Sequence, residues 1–322
     1  MIKKILLALV VIVLLVVVGV PAFMYGVYPK MRPAPQMTAP KTPEAIERGR
    51  YLAEALTGCV ACHSPIDPAR PGDFPEAGLE FAGRIWPEGS GFPGKVVGPN
   101  LTPDPETGIG QWTDGEVVRA MREGVSRDGR PLFPLMNYPG YRDLTDDDAL
   151  AIVAYLRTQK PVRRDNGRTE LNFPVGMMIR TVPQPLDGPP PGIPAAGIER
   201  GRVMLKLMLC GECHTPSEQG TPIPGKELAG GTEFKGPWGV VYSANITAHP
   251  SAGIGAFSND DLKRVFREGK NRAGRELWVM PWSVTKNLTD ADLDALIAAL
   301  REVPAIPNLV PAAQLSASPA KP

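Results

Sequence analysis

The chain has 322 residues but only four cysteines and three histidines. All four cysteines fall in two copies of one spacing, Cys59-Val60-Ala61-Cys62-His63 and Cys210-Gly211-Glu212-Cys213-His214, so two of the three histidines stand directly behind a second cysteine. A disulfide framework would pair the four cysteines in one of three ways but has no use for the histidines. A zinc ribbon sets its two Cys-x-x-Cys pairs roughly 15–20 residues apart, whereas about 150 residues separate these. Covalent haem attachment uses every part of the unit: two thiols bond the porphyrin vinyl groups and the adjacent histidine binds the iron. The motif predicts two haem c groups, one held by Cys59 and Cys62 and one by Cys210 and Cys213, with His63 and His214 as axial ligands.

Haem iron has a second axial position. Met136 and Met280 stand at the same distance before Leu144-Thr145 and Leu288-Thr289, in "PLFPLMNY" and "ELWVMPW". A lone methionine among apolar residues is usually core filler. Two at matching positions, each in a proline-containing loop without helical period, read as iron ligands. Met121, Met204 and Met208 fall on predicted helices as packing residues, and Met177 and Met178 have no counterpart. With histidine and methionine on both irons, neither offers a site to oxygen, peroxide or substrate, and the expected activity is transfer of single electrons. His249 matches Asp104 and reads as a turn residue; in place of Met280 it would make that haem bis-histidine and lower its potential.

The elements that must position these residues occur twice, at a period of about 145 residues. "AIERGRYLAEALTGCVACH" matches "GIERGRVMLKLMLCGECH", "NLTPDPETGIGQWTDGEVVRAMREG" matches "NITAHPSAGIGAFSNDDLKRVFREG", and "DLTDDDALAIVAYLR" matches "NLTDADLDALIAALR". "DGRPLFPLM" and "AGRELWVM" also correspond, and "FAG" at 81–83 answers faintly to "LAG" at 228–230. Each copy predicts three helices. The first covers roughly 43–58 or 196–209, opening in copy one with Thr42-Pro43. The middle one runs from Thr113 or Ser258 as N-cap to a stop at Gly124 or Gly269. The last has Thr145 with Asp148, or Thr289 with Asp292, at capping-box spacing. Gly49 and Gly201 interrupt the first helices, where glycine costs about 1 kcal/mol relative to alanine, and a close approach of another helix would explain both.

The motifs resemble those of the class I cytochrome c fold, and the tandem arrangement with "NLTPDPETGIGQWTDGEVVRAMREG" is similar to membrane-anchored dihaem cytochromes c that serve bacterial periplasmic dehydrogenases. The resemblance covers roughly 42–158 and 195–302. It implies that Asn100, Thr102, Asn245 and Thr247 line the haem edge and that Gly49 and Gly201 let the first and last helices cross. Copy one departs from the family in having "PLMNYP" where Met-Pro is usual, and in about six extra residues around "IWPEGSGFPGK".

The expected fold is mostly α, with two tandem class I cytochrome c domains behind one transmembrane helix. The expected organisation is an anchor at 1–29, a proline-rich stalk at 30–41 acting as an extended spacer, domain one at 42–160, a proline-rich linker at 161–194, domain two at 195–303 and a tail at 304–322. The uncharged run from Ile5 to Tyr28 is long enough to cross a hydrocarbon core of about 30 Å, and no Ala-x-Ala-like cleavage site follows Val20. Lys3 and Lys4 precede it, so the positive-inside rule leaves the tip in the cytoplasm and sends the haem domains to the periplasmic side of the inner membrane.

A net charge of +1 and the lack of a basic run interleaved with aromatics exclude a nucleic-acid partner. The expected partners are a redox donor and acceptor, with a dehydrogenase catalytic subunit as a further possibility: the function would be relay from a periplasmic or membrane dehydrogenase or quinol donor to a respiratory acceptor, free-standing or as a tightly bound subunit. A dihaem peroxidase is the competing enzyme, but one of its irons must be open. Lys263, Arg264, Arg267, Lys270, Arg272 and Arg275 give the second copy a local basic bias that could steer an acidic partner.

Overall fold

A computed structural model of the chain describes residues 1–218 and 220–316. The apolar N-terminus is one helix, Ile2–Val27, whose most apolar stretch has a mean hydropathy of 3.3 and is entirely unburied. Its backbone widens into a π turn at Leu15–Gly19.

Beyond the apolar N-terminal helix the same element order occurs twice. In the first half, the helix Pro43–Tyr51 continues through a π turn at Leu52–Leu56 into the short helix Cys59–Cys62. An antiparallel hairpin, Arg84–Trp86 with Gly94–Gly98, leads to the helix Asp114–Glu123, a 3-10 turn at Pro134–Met136, the short helix Tyr138–Tyr141 and the helix Asp146–Arg157. The second half answers with helices Gly197–Leu207 and Cys210–His214, a hairpin of Glu233–Gly236 with Gly239–Tyr242, and helices Asn259–Glu268, Trp282–Thr285 and Asp290–Arg301.

The caps lie where the sequence predicts them. Thr113 with Glu116 and Ser258 with Asp261 form reciprocal capping boxes, satisfying amide donors that the helix cannot. Gly124 and Gly269 end the same helices at φ +73° and +64°, a conformation in which a side chain is strained. Thr145 and Thr289 accept from the backbone amides of Asp148 and Asp292.

The first and last helices of each half cross at a glycine. A Cβ on Gly49 would fall on the carbonyl oxygen of Ala151, and one on Gly201 on that of Ala295. The helix-propensity cost of these two glycines is therefore the condition for a backbone-to-backbone crossing.

Two three-stranded sheets and a two-residue ladder of Ser217–Glu218 with Thr221–Pro222 go beyond the helical expectation. The chain leaving each last helix returns to its own hairpin as a third strand, Glu170–Leu171 beside Gly94–Gly98 and Gln314–Leu315 beside Gly239–Tyr242. The third strands are only two residues long, so they carry none of the alternation that marks a strand in sequence.

The proline-rich segments are packed. The stalk is extended, but Arg32 pairs with Glu123 at 2.8 Å, the amide of Ala39 donates to Asp114 Oδ2 at 2.8 Å, and Pro35 lies against Gly115. It is stitched along the helix Asp114–Glu123, not free-standing as a spacer would be; its few polar and small residues find partners that composition alone does not reveal. The linker carries the third strand and a short helix, Val175–Met178.

One continuous hydrophobic cluster spans both halves, from Leu52, Leu56 and Ile152 to Leu207, Leu293 and Leu296. The halves also exchange specific bonds. Gly72 N–H donates to Trp278 O at 3.0 Å, Ser283 Oγ donates to Asp73 O at 2.9 Å, and Phe74 stands edge-on to Trp282 at 4.7 Å between centroids. Asn137 Nδ2 donates to the carbonyls of Lys206 and Leu207, both at 3.1 Å, and the Asp292 carboxylate accepts from Tyr51 Oη and from Arg200.

Candidate functional site

Each Cys-x-x-Cys unit is a short helix entered through a left-handed residue. In the first half that residue is Gly58, φ +61°; in the second it is Leu209, φ +56°. A non-glycine residue there costs roughly 1–3 kcal/mol and persists only where the surroundings over-determine it. All four cysteines are free thiols. Burial pushes Cys62 and Cys213 up to about 11 and Cys210 up to about 12, and raises Cys59 as well. The thiols are held neutral: Arg84 favours the Cys62 thiolate, but burial outweighs it. Among the described residues no three His, Cys, Asp or Glu side chains converge as metal ligands. The donor set thus fits neither the disulfide framework nor the zinc ribbon.

Both motif histidines are held alike. His63 Nδ1 lies 2.7 Å from the carbonyl oxygen of Pro99, and His214 Nδ1 lies 2.7 Å from that of Ala244. A carbonyl can only accept, so Nδ1 carries the proton and Nε2 is left as a bare lone pair. His63 is buried and His214 half-buried. Burial lowers both imidazoles, His63 to about 4, although the carbonyl partner opposes the shift. Neutral imidazole with a fixed tautomer and a free Nε2 is the state in which histidine binds a metal.

The faint "FAG" and "LAG" match becomes structural here. Phe81 and Leu228 both adopt φ +61°, and two residues on, Gly83 N–H and Gly230 N–H donate to the carbonyls of His63 and His214, each at 2.6 Å. Backbone, and not side-chain identity, is what this loop repeats, which explains the weak sequence signal.

Asn100, Thr102, Asn245 and Thr247 are buried and their polar atoms fully engaged. Asn100 Oδ1 accepts from the amide and hydroxyl of Thr102, and its Nδ2 donates to Val162 O at 2.7 Å and Thr107 Oγ1 at 3.2 Å. Asn245 Oδ1 accepts from Thr247 in the same way, while its Nδ2 donates to the carbonyls of Ile306 and Asn308. The Thr102 and Thr247 hydroxyls accept from the amides of Val162 and Ile306. Asn166 and Asn308 continue the fastening with bonds to the carbonyls of Ala82 and Ala229. These residues pin the strap that leaves each last helix, and they have no hydrogen bond left to offer a ligand.

Met136 ends the 3-10 turn, followed by left-handed Asn137, while Met280 precedes Pro281 and its carbonyl accepts from Trp282 N–H at 2.8 Å. The two loops therefore differ in shape, as the departure of "PLMNYP" from Met-Pro implies. Both methionines are partly buried and pack on the core, as do Leu101 and Trp112 in one half and Ile246 and Phe257 in the other. Tyr141, following the Met136 loop, donates to Thr57 O at 2.8 Å, and Thr57 Oγ1 lies 3.2 Å from Cys59 Sγ. His249 closes its own turn, with Nδ1 accepting from the amides of Ser251 and Ala252, as Asp104 Oδ1 accepts from those of Glu106 and Thr107.

The basic face is largely neutralised. Lys263 pairs with Asp294, Arg264 and Arg272 with Asp261, and Arg267 with Asp290.

Sequence reasoning missed the carbonyls of Pro99 and Ala244, which orient the histidines, and the straps at Val162 and Ile306. Backbone carbonyls leave no residue-type signal; the proline-flanked "KPVRR" and "PAIPN" were its only trace.

Comparison with known proteins places this geometry in context. The family model for cytochrome c matches residues 46–160. The diheme cytochrome c-type protein of Cereibacter sphaeroides is 31% identical over 281 residues, covering 84% of this chain and 90% of that one. The fructose dehydrogenase cytochrome subunit of Gluconobacter japonicus is 33% identical over 81% of this chain and 53% of its own. The cytochrome c subunit of the quinone alcohol dehydrogenase of Gluconobacter oxydans is 31% identical over 82% and 55%. The chain spans about half the length of these two dehydrogenase subunits.

Proposed function

Because the chain belongs to the cytochrome c family, an electron carrier in place of a catalytic subunit, we propose that it carries two haem c groups and passes single electrons between a dehydrogenase or quinol donor and a downstream respiratory acceptor. When bound, each haem supplies a reversible one-electron couple. The observation that carries the reading is the duplicated imidazole arrangement, with Nδ1–H held by Pro99 O or Ala244 O and Nε2 free.

Cys59, Cys62, Cys210 and Cys213 would hold the porphyrins through thioethers, with His63 and Met136 on one iron and His214 and Met280 on the other. Asn100, Thr102, Asn245 and Thr247 border the haem edge by fixing loops, in the two tandem cytochrome c domains, 42–160 and 195–303. The shared core keeps the domains in register, so relay from one site to the other needs no domain motion. The helix Ile2–Val27 would anchor the protein in the inner membrane, with Lys3 and Lys4 inside and the haem domains on the periplasmic side.

Counting haems on the purified full chain by alkaline pyridine spectra tests the stoichiometry: two per chain is expected, and one would overturn the dihaem reading. The names of the dehydrogenase relatives favour a second form of the same function, a subunit held by a catalytic partner. Isolation from native membranes in mild detergent separates the two. Co-purification with a flavin, quinone or molybdenum subunit supports the complex, and isolation alone supports the free carrier.

A further inference from the structure

The linker between the halves contains a segment that the electron-carrier reading does not use. Residues 172–183, "NFPVGMMIRTVP", hold one charge, Arg180. Phe173 is 82% exposed, Met178 58% and Val182 40%, although each side chain is apolar. Such residues scattered singly over a surface mean little, but a cluster of them marks a contact surface.

Its position identifies the contact. Arg180 reaches back to the end of the anchor helix, where Nε donates to Met24 O at 3.3 Å, Nη2 donates to Tyr28 O, and the guanidinium lies 4.5 Å from the centre of the Tyr25 ring. Met24 O also takes the capping bond from Tyr28 N–H, so Arg180 fastens onto the C-cap of the anchor helix itself. A 26-residue helix is about 39 Å long, against a hydrocarbon core of about 30 Å, so its ends reach the headgroup layer. Phe23, Tyr25 and Tyr28 mark that layer as an aromatic belt. The segment is therefore fastened at the depth where lipid headgroups meet the acyl chains.

The first half holds it there from the other side. Leu171 and Glu170 pair with Gly94 and Lys95, and Asn172 N–H donates to Pro93 O at 2.8 Å. The second half holds its own third strand in the same way, Leu315 and Gln314 pairing with Gly239 and Val240 and Ser316 N–H donating to Trp238 O at 3.0 Å.

We propose that residues 172–183 are a second, interfacial membrane contact, in which Phe173, Met178 and Val182 enter the outer leaflet beside the anchor helix and Arg180 locks the two together. The third strand of the first half delivers this segment beside the anchor helix, and the contact fixes which face of the protein looks at the membrane. The inference rests on the reading of Ile2–Val27 as a membrane span.

The test uses the full haem-loaded chain, alone in nanodiscs of phosphatidylcholine and phosphatidylglycerol that contain a lipid with a diazirine in the upper acyl chain. After illumination, lipid adducts are mapped by peptide mass spectrometry. Adducts both on residues 2–27 and on 172–183 are expected, with the Phe173→Glu, Met178→Glu double variant losing at least tenfold of the second set and none of the first. Adducts confined to residues 2–27 overturn the proposal and leave a protein partner as the occupant of this face. Absence of adducts from residues 2–27 overturns the anchor on which the proposal rests.

Discussion

An imidazole whose Nδ1–H is donated to a backbone carbonyl has one tautomer and one free lone pair, and His63 and His214 are both in that state. Met136 and Met280 are the ligands proposed for the far side, and replacing each by leucine separates a ligand from a packing residue. Leucine fills nearly the same volume, so a methionine that only packs would be replaced at a cost under about 1.5 kcal/mol with the spectrum unchanged. The expected result for Met136→Leu, and separately for Met280→Leu, is loss of about half of the near-red absorbance of sulfur-ligated ferric haem and a gain of carbon monoxide binding at one iron per chain. The cysteines and histidines stand out in the sequence because haem c attachment, the chemistry proposed for them, admits few other residue types. The two methionines stand out in the sequence only through the repeat.

At the scale of elements, the helix crossings and the caps decide how firmly those residues are held. Gly201→Ala would set a methyl group against the Ala295 carbonyl, and backbone cannot yield as a side-chain tip can. The expected loss is at least about 1–3 kcal/mol, read as a lowered midpoint in denaturant titration. Asp292 joins the halves through Arg200 and Tyr51, the Arg200–Asp292 pair being almost fully buried. Burial works to raise the Asp292 carboxyl, but the bonds from Arg200 and Tyr51 outweigh it and hold the group below its usual range. Its stabilisation is therefore fully present above the ordinary carboxylate value and is lost as pH falls through the depressed one. Asp292→Asn is expected to lower stability by about 3–5 kcal/mol at pH 7, since it strands a buried Arg200, and the gap to the unmodified protein should narrow on acidification below pH 4. A gap independent of pH would contradict the ionised role. Helix starts and stops were readable because Thr-x-x-Glu, Ser-x-x-Asp and terminal glycines state a backbone requirement in side-chain terms. The hairpins and straps were not, because Gly94–Gly98 and Gln314–Leu315 are held by main-chain bonds that many sequences can make.

The whole molecule is an apolar N-terminal helix, long enough to span a membrane, joined to two half-molecules on one core. The tandem repeat made two copies legible, but its linear form suggested separate beads on proline-rich strings. The bonds of Gly72 to Trp278 and of Asn137 to Lys206 and Leu207 join residues far apart in sequence, so no local pattern announces them. The basic stretch of the second half also reads differently in three dimensions, with four of its six cations paired to acids. Steering by that face is correspondingly weak, and electron exchange with an anionic acceptor is expected to change little as ionic strength rises. Stopped-flow rates that fall steeply with salt would restore it as a docking face. The central claim, two closed irons in one electron carrier, is tested most directly by a redox titration of the full chain followed by absorbance. The account predicts two low-spin haems, each showing the near-red band when ferric and neither binding carbon monoxide when reduced. One haem without the band that binds peroxide or carbon monoxide would mean an open iron, and a catalyst in place of a carrier.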